Sequence, residues 1–348
     1  MSDTKAYAAF NHKDKLKPLN ITRRQPNAND VHIDISYCGV CHSDIHFAHN
    51  DWGMTVYPVV PGHEIIGRVK SVGANVKQFK SGDLVGVGCL VDSCRSCSAC
   101  EEDLEQHCEQ GMVMTYGSED PHLSGQLTHG GYSTEIVVDE NYVLRVSEKL
   151  DTKAVAPLLC AGITTYSPLR QWNIKKGDKV GVIGLGGLGH MGVKFAAAMG
   201  AEVVMITTSK SKGVDAKRLG ASDVLVSNDE AQMQSHAGSF DFLLNTIPVA
   251  HNLDPYVPLL KLGKTMSVVG ASPVELHTMG MVFGRNIIAG SLIGGIKETQ
   301  EMLDFCAKHN IVSDVELIPM QDINTAYERV LNNDIKYRFV IDMQSLKD

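Results

Sequence analysis

Apolar and polar residues alternate with a period of two along Val31-His32-Ile33-Asp34-Ile35-Ser36-Tyr37, which predicts a strand with one buried face. Short runs punctuated by glycine at 68–73 and 83–87 read the same way, and 133–138 and 142–146 continue the series. The first part of the chain, to about residue 150, is therefore expected to be β-rich with many turns. Within it, residues 92–108 have almost no apolar content and four cysteines. Hydrophobic burial cannot fold such a segment, so it needs a staple.

The pattern changes near Asp151. In Lys179-Val180-Gly181-Val182-Ile183 the lysine opens a continuous apolar run, as expected of a strand covered on both faces of a parallel sheet. A glycine-rich turn follows, then apolar positions at helical spacing over 191–199. Further strands are predicted at 202–206, 223–226, 240–244, 264–269 and 287–293, with a short helix around 216–219. Six strands alternating with helices predict an α/β, doubly wound parallel sheet. The tail from Lys297, with a helical stretch at 301–306 and a strand at 338–341, is too short for a domain and is expected to return to the first one. The expected plan is a first domain at 1–153 carrying a cysteine lobe at about 92–110, a second at 154–294, and a return at 295–348.

The chain has 348 residues, 43% apolar and 21% charged, which is ordinary for globular domains. Its 32 basic against 40 acidic residues give a net charge of −8 and no basic block, which argues against a nucleic-acid partner. No run of about 18 apolar residues suggests a membrane span. The start, Met1-Ser2-Asp3-Thr4-Lys5, lacks the apolar core of a secretory signal, so a cytoplasmic location is expected. In a reducing compartment the nine cysteines point to metal rather than disulfides.

Cys94, Cys97, Cys100 and Cys108 stand in the spacing C-x2-C-x2-C-x7-C. Four thiolates closing one tetrahedral shell are the structural form of zinc, although iron–sulfur clusters use related spacings. Three more segments offer ligands: Cys38-Gly39-Val40-Cys41-His42-Ser43-Asp44-Ile45-His46, Gly62-His63-Glu64 and Leu159-Cys160-Ala161. None is persuasive alone, and the Cys38/Cys41 pair lacks the context of a thioredoxin-like redox site. Gly184-Leu185-Gly186-Gly187-Leu188-Gly189 closes one predicted strand and opens a helix, the setting of a dinucleotide-binding turn. Gly184 allows the tight turn, Gly186 lets backbone approach a pyrophosphate, and Gly189 lets helix pack on strand. An NAD site normally carries an acid at the end of the next strand. Here Ile206 is followed by Thr207-Thr208-Ser209-Lys210-Ser211-Lys212, and the first acid downstream is Asp215. Hydroxyls and lysines suit a 2′-phosphate, so NADP(H) is expected, with Thr208, Ser209 and Lys212 as its contacts.

These motifs, in this order and over essentially the whole chain, resemble the zinc-dependent medium-chain alcohol dehydrogenases, and the wording around Cys160 and over 184–194 is most similar to the cinnamyl alcohol dehydrogenase branch. The resemblance implies a GroES-like catalytic domain beside a Rossmann nucleotide-binding domain, two zinc ions per chain and a homodimer formed through the last strands of the Rossmann sheet. It implies a catalytic zinc on Cys41, His63 and Cys160, with Glu64 either an occasional fourth ligand or a buried salt-bridge partner. Asp44 matches the carboxylate that orients the ligand histidine. Ser43 matches the hydroxyl that hands on the alcohol proton, His46 the base that receives it, Thr164 a threonine near the nicotinamide and His42 a residue against the pyrophosphate. Trp52, Met54, Tyr57 and Leu90 are expected to line an apolar substrate pocket, whereas Cys38, Cys89 and Cys306 read as interior packing.

The expected activity is NADP(H)-dependent reduction of aromatic, allylic or medium-chain aldehydes, which are small-molecule substrates. A polyol or secondary-alcohol dehydrogenase using NAD, and a zinc-binding module without catalysis, are the alternatives.

Overall fold

The computed structural model describes residues 2–347. The chain forms two units, Met1–Cys160 with Gly294–Asp348, and Ala161–Ile293. Residues 154–160 group with the first unit because Ala154 to Leu159 are buried in helical turns packed on its strands.

In the first unit Asp30–Gly39 is the central strand, and Val31, Ile33 and Ile35 are fully buried while the residues between them are half-buried. Ile65–Val72 runs antiparallel along one edge. The other edge is shared by Glu135–Asp139 and Arg338–Asp342, each antiparallel to a different half. Leu84–Val87 and Leu144–Arg145 extend the sheet on one side, and Val315–Pro319 extends it on the other, parallel to the returning strand. The C-terminal tail thus completes the sheet begun at residue 30.

Two features were not predicted. Ser2–Ala8 and Lys17–Arg23 pair as an antiparallel hairpin whose alternation is blurred by lysines and a proline. His42–His49, which begins inside the first ligand segment, is a helix.

In the second unit six parallel strands are ordered Asp223–Val226, Glu202–Thr207, Lys179–Ile183, Phe240–Asn245, Leu260–Val268, Ile287–Gly290. In chain order this is 3-2-1-4-5-6, the dinucleotide-binding arrangement. Ile183, Val204, Ile206, Leu225, Phe240 and Leu243 form its core. The last strand departs from expectation: it stops at Gly290, and Ile287 is 50% exposed. Among the described residues no helix is long and apolar enough to cross a membrane.

Candidate functional site

In the first unit, one ligand atom from each of Cys41, His63, Glu64 and Cys160 lies within 4.8 Å of every other, and all four residues are buried. Three separate segments meet here. Cys41 is the N-cap of the His42–His49 helix. His63 and Glu64 follow Gly62, whose φ of +102° suits only glycine, since a side chain there would strike Tyr132. Cys160 ends the Ala156–Leu159 turn, its Sγ 3.8 Å from that of Cys41.

The sulfur pair shares its acidity: hydrogen bonding from Cys160 holds Cys41 well below the ordinary thiol range, and the same contact pushes Cys160 up. Burial pushes the Glu64 carboxyl up to about 7, against the opposing charge of Arg338. Arg338 donates to Glu64 Oε1, while Oε2 is buried with no hydrogen-bond partner. Two sulfurs, an imidazole and a carboxylate with one oxygen left unpartnered are a donor set that fits a zinc ion.

Asp44, fully buried, accepts from the Cys41 and Gly62 amides at 2.9 and 3.0 Å, so one carboxylate ties two ligand segments together. Its Oδ1 also lies 3.2 Å from His63 Nδ1. Burial opposes a charge on His63, but Asp44, Cys89 and Cys41 together hold the imidazole well above its usual value.

Ser43 is partly exposed at the start of the helix, and His46, one turn on, pairs with Asp51 at 2.7 Å. His42 is half-buried, and burial lowers its pKa. Trp52 packs against the rings of His46 and Phe47, and Met54 is 53% exposed. Tyr57 donates to the Ala48 carbonyl. Leu90 is interior, in a short strand paired with Met114, and presents no exposed face.

Sequence reasoning missed three neighbours of this cluster. Arg338 was signalled only as a charge opening an apolar strand. Tyr116 carried no signal. Cys89, expected to be ordinary packing, is half-buried and donates to the carbonyl of Leu159, the residue before Cys160. Cys38 and Cys306 are buried, as expected of packing.

Elsewhere in the first unit, Cys94, Cys97, Cys100 and Cys108 converge within the same 4.8 Å limit. The Cys94 amide donates to Cys108 Sγ and the Glu109 amide to Cys97 Sγ, both at 3.4 Å. Amides aimed at sulfur favour thiolate, and four thiolates without an open position fit structural zinc.

In the second unit, Gly184 takes φ +92° after the first strand, and a Cβ on Gly189 would lie 1.9 Å from the Gly184 carbonyl oxygen. The helix Gly189–Ala198 starts at once. Gly186 has open space where its side chain would be, so Gly186, Gly187 and Leu188 present backbone at a helix N-terminus, a setting that favours phosphate. Thr208, Ser209 and Lys212 follow the second strand, with Thr208 and Lys212 exposed and Ser209 capping the turn through Ser211. Thr164 is buried in the helix Ala161–Gln171.

Two family profiles match this chain: "Alcohol dehydrogenase GroES-like domain" over residues 27–148 and "Zinc-binding dehydrogenase" over 187–308. Aldehyde reductase YahK of Escherichia coli is 56% identical over 349 residues, covering 99% of both chains. Cinnamyl alcohol dehydrogenase 4 of Sorghum bicolor superimposes with a TM-score of 0.95 at 43% identity, covering 99% of this chain and 98% of that one. The cinnamyl alcohol dehydrogenase of Helicobacter pylori, solved with NADP(H), gives 0.92 at 45% identity over 98% of both.

Proposed function

The chain belongs to the zinc-dependent alcohol dehydrogenases, oxidoreductases of alcohols and aldehydes, and we propose that within that family it works as an NADP(H)-dependent reductase of aromatic, allylic and medium-chain aldehydes. The observation that carries this is the convergence of Cys41, His63, Glu64 and Cys160 in one buried cluster. When bound, zinc supplies a Lewis acid toward the substrate oxygen and NADP(H) supplies the hydride. Cys41, His63 and Cys160 hold the ion, and their two sulfurs offset its charge. Glu64 stands by as a further donor, restrained by Arg338.

Ser43 hydrogen-bonds the substrate oxygen and passes its proton on, and His46, kept in place by Asp51, exchanges it with solvent. Gly184, Gly186, Gly187, Leu188 and Gly189 receive the pyrophosphate, and Thr164 meets the nicotinamide. Thr208, Ser209 and Lys212 take the 2′-phosphate. Trp52, Met54 and Tyr57 form the apolar side of the substrate site. A cytoplasmic setting suits two thiolate ligand sets.

A panel of aldehydes and alcohols assayed with both coenzymes tests this. Even two charge-assisted bonds to the 2′-phosphate from Thr208, Ser209 and Lys212, at about 1.5 kcal/mol each, predict that NADPH exceeds NADH by at least roughly a hundredfold in kcat/KM. Benzaldehyde and cinnamaldehyde should outrun mannitol by a similar margin. A preference for NADH, or for the polyol, overturns the proposal.

The assembly proposed is a homodimer. The last strand, Ile287–Gly290, has one sheet partner among the described residues. Beside it Phe283 is 77% exposed, Val282 68% and Met279 60%. An open strand edge with an apolar border suits an isologous two-fold contact. Light scattering should give twice the 37.8 kDa chain mass, and Phe283→Asp combined with Ile287→Lys should halve it. A monomeric parent protein would refute the dimer.

A further inference from the structure

We propose that Tyr116, backed by Tyr132, is a positioning residue of the catalytic metal centre, acting on the zinc ligand His63 through Asp44. The Tyr116 hydroxyl donates to Asp44 Oδ1 at 2.8 Å, the oxygen that faces His63 Nδ1. The Tyr132 hydroxyl donates to Oδ2 at 3.3 Å, and the Tyr327 hydroxyl donates in turn to that of Tyr132 at 3.5 Å. Asp44 and Tyr132 are fully buried, and Tyr116 and Tyr327 nearly so. The inference rests on the zinc reading above.

A carboxyl group withdrawn from water needs hydrogen-bond partners on both oxygens. Besides His63, the donors are two backbone amides and two phenols. The amides come with the fold, so the phenols are the donors that side-chain chemistry can change. Their bonds settle three things about the ligand. With amides and phenols donating to both of its oxygens, Asp44 faces His63 as an acceptor, so Nδ1 is the side of the ring that donates and Nε2 is the side left for metal. The same bonds fix the carboxylate plane and with it the imidazole plane. They also draw charge from Oδ1, which sets how strongly Asp44 pulls on the His63 N–H. The Tyr116 ring is itself held, edge-on to Phe47 at 5.0 Å and 5.8 Å from the His63 ring. Removing its hydroxyl therefore changes the bond and leaves the packing.

The test uses the full-length enzyme loaded with zinc, and with cobalt at the catalytic site, comparing the parent with Tyr116→Phe and Tyr132→Phe. Removing an outer partner of a metal-bound histidine commonly costs 10–100-fold in affinity. One residue further out, Tyr116→Phe should release the catalytic metal to a chelator roughly tenfold faster and shift the visible cobalt bands. Tyr132→Phe, with its longer bond, should do less. The four-cysteine zinc should leave at the parental rate in both variants. In an Asp44→Asn background, Tyr116→Phe should add nothing further. Catalytic-metal release within twofold of the parent with unchanged bands, parallel loss of both metals, or additivity with Asp44→Asn each overturns the proposal. A parent chain that binds one metal instead fails the zinc reading itself.

Discussion

Cys160→Ala is expected to give a folded protein that keeps one zinc per chain and has lost at least a thousandfold of its aldehyde reductase activity. That loss corresponds to about 4 kcal/mol of transition-state stabilisation. It follows from what Cys160 contributes: one of two sulfurs in a buried cluster, 3.8 Å from the other. With it gone, Cys41, His63 and Glu64 remain, and Glu64 is already engaged by Arg338. The donors left cannot hold the ion firmly, and charge developing on the substrate oxygen loses its main stabiliser. Folding should survive. Exchanging a small buried thiol for a methyl removes little packing, so a stability loss near 1 kcal/mol is expected. Metal analysis, turnover and thermal melting on one preparation check the three parts. Retention of both zincs with near-parental turnover would exclude Cys160 as a ligand.

Much of this centre is legible in the sequence. The cysteine spacing over 94–108 and the glycine turn at 184–189 are local signals, because chemistry and chain direction are set within a few residues. The catalytic set is different in kind. Cys41, His63 and Cys160 are separated by 22 and 97 residues, and only order along the chain, compared with a known family, linked them. Sequence periodicity cannot report that Asp44 reaches back to Cys41 and across to Gly62, since those bonds depend on the Cys41 cap and on the left-handed turn at Gly62. Tyr116 and Arg338 escaped for the same reason. Each meets the site through a strand or loop remote in sequence, and nothing in its neighbourhood distinguishes it from packing. The last strand of the second unit is shorter than the apolar run at 287–293 predicts, because such a run looks alike whether it is covered by its own chain or left at an edge.

Cys97→Ser should do the reverse of Cys160→Ala: lower stability, lose the four-cysteine zinc and leave the catalytic ligands in place. The reason is the composition of the lobe. Its short helix, Ser98–Glu101, buries none of its residues, and Gln106 and Cys108 are the buried ones over 94–108. Hydrophobic burial contributes little there, so metal binding is the folding energy of the segment. Serine keeps the size of the side chain but offers no thiolate, and the Glu109 amide loses its acceptor sulfur. The consequences reach beyond the lobe. Glu105 accepts from the Ile296 amide at 3.1 Å, and Asp103 pairs with Lys297. The helix Ile296–His309 has no side-chain cap of its own at Gly295, so an unfastened lobe leaves its first turn uncapped. A stability loss of about 3 kcal/mol, typical of a lost structural metal or cap combined, corresponds to a fall of roughly 6–12 °C in Tm for a unit of this size. Hydrogen exchange should quicken at the lobe and at Ile296 while Asp30–Gly39 stays protected. Unchanged exchange at Ile296 after the zinc has left would show that the lobe does not fasten the helix, because the metal would then be stabilising only itself.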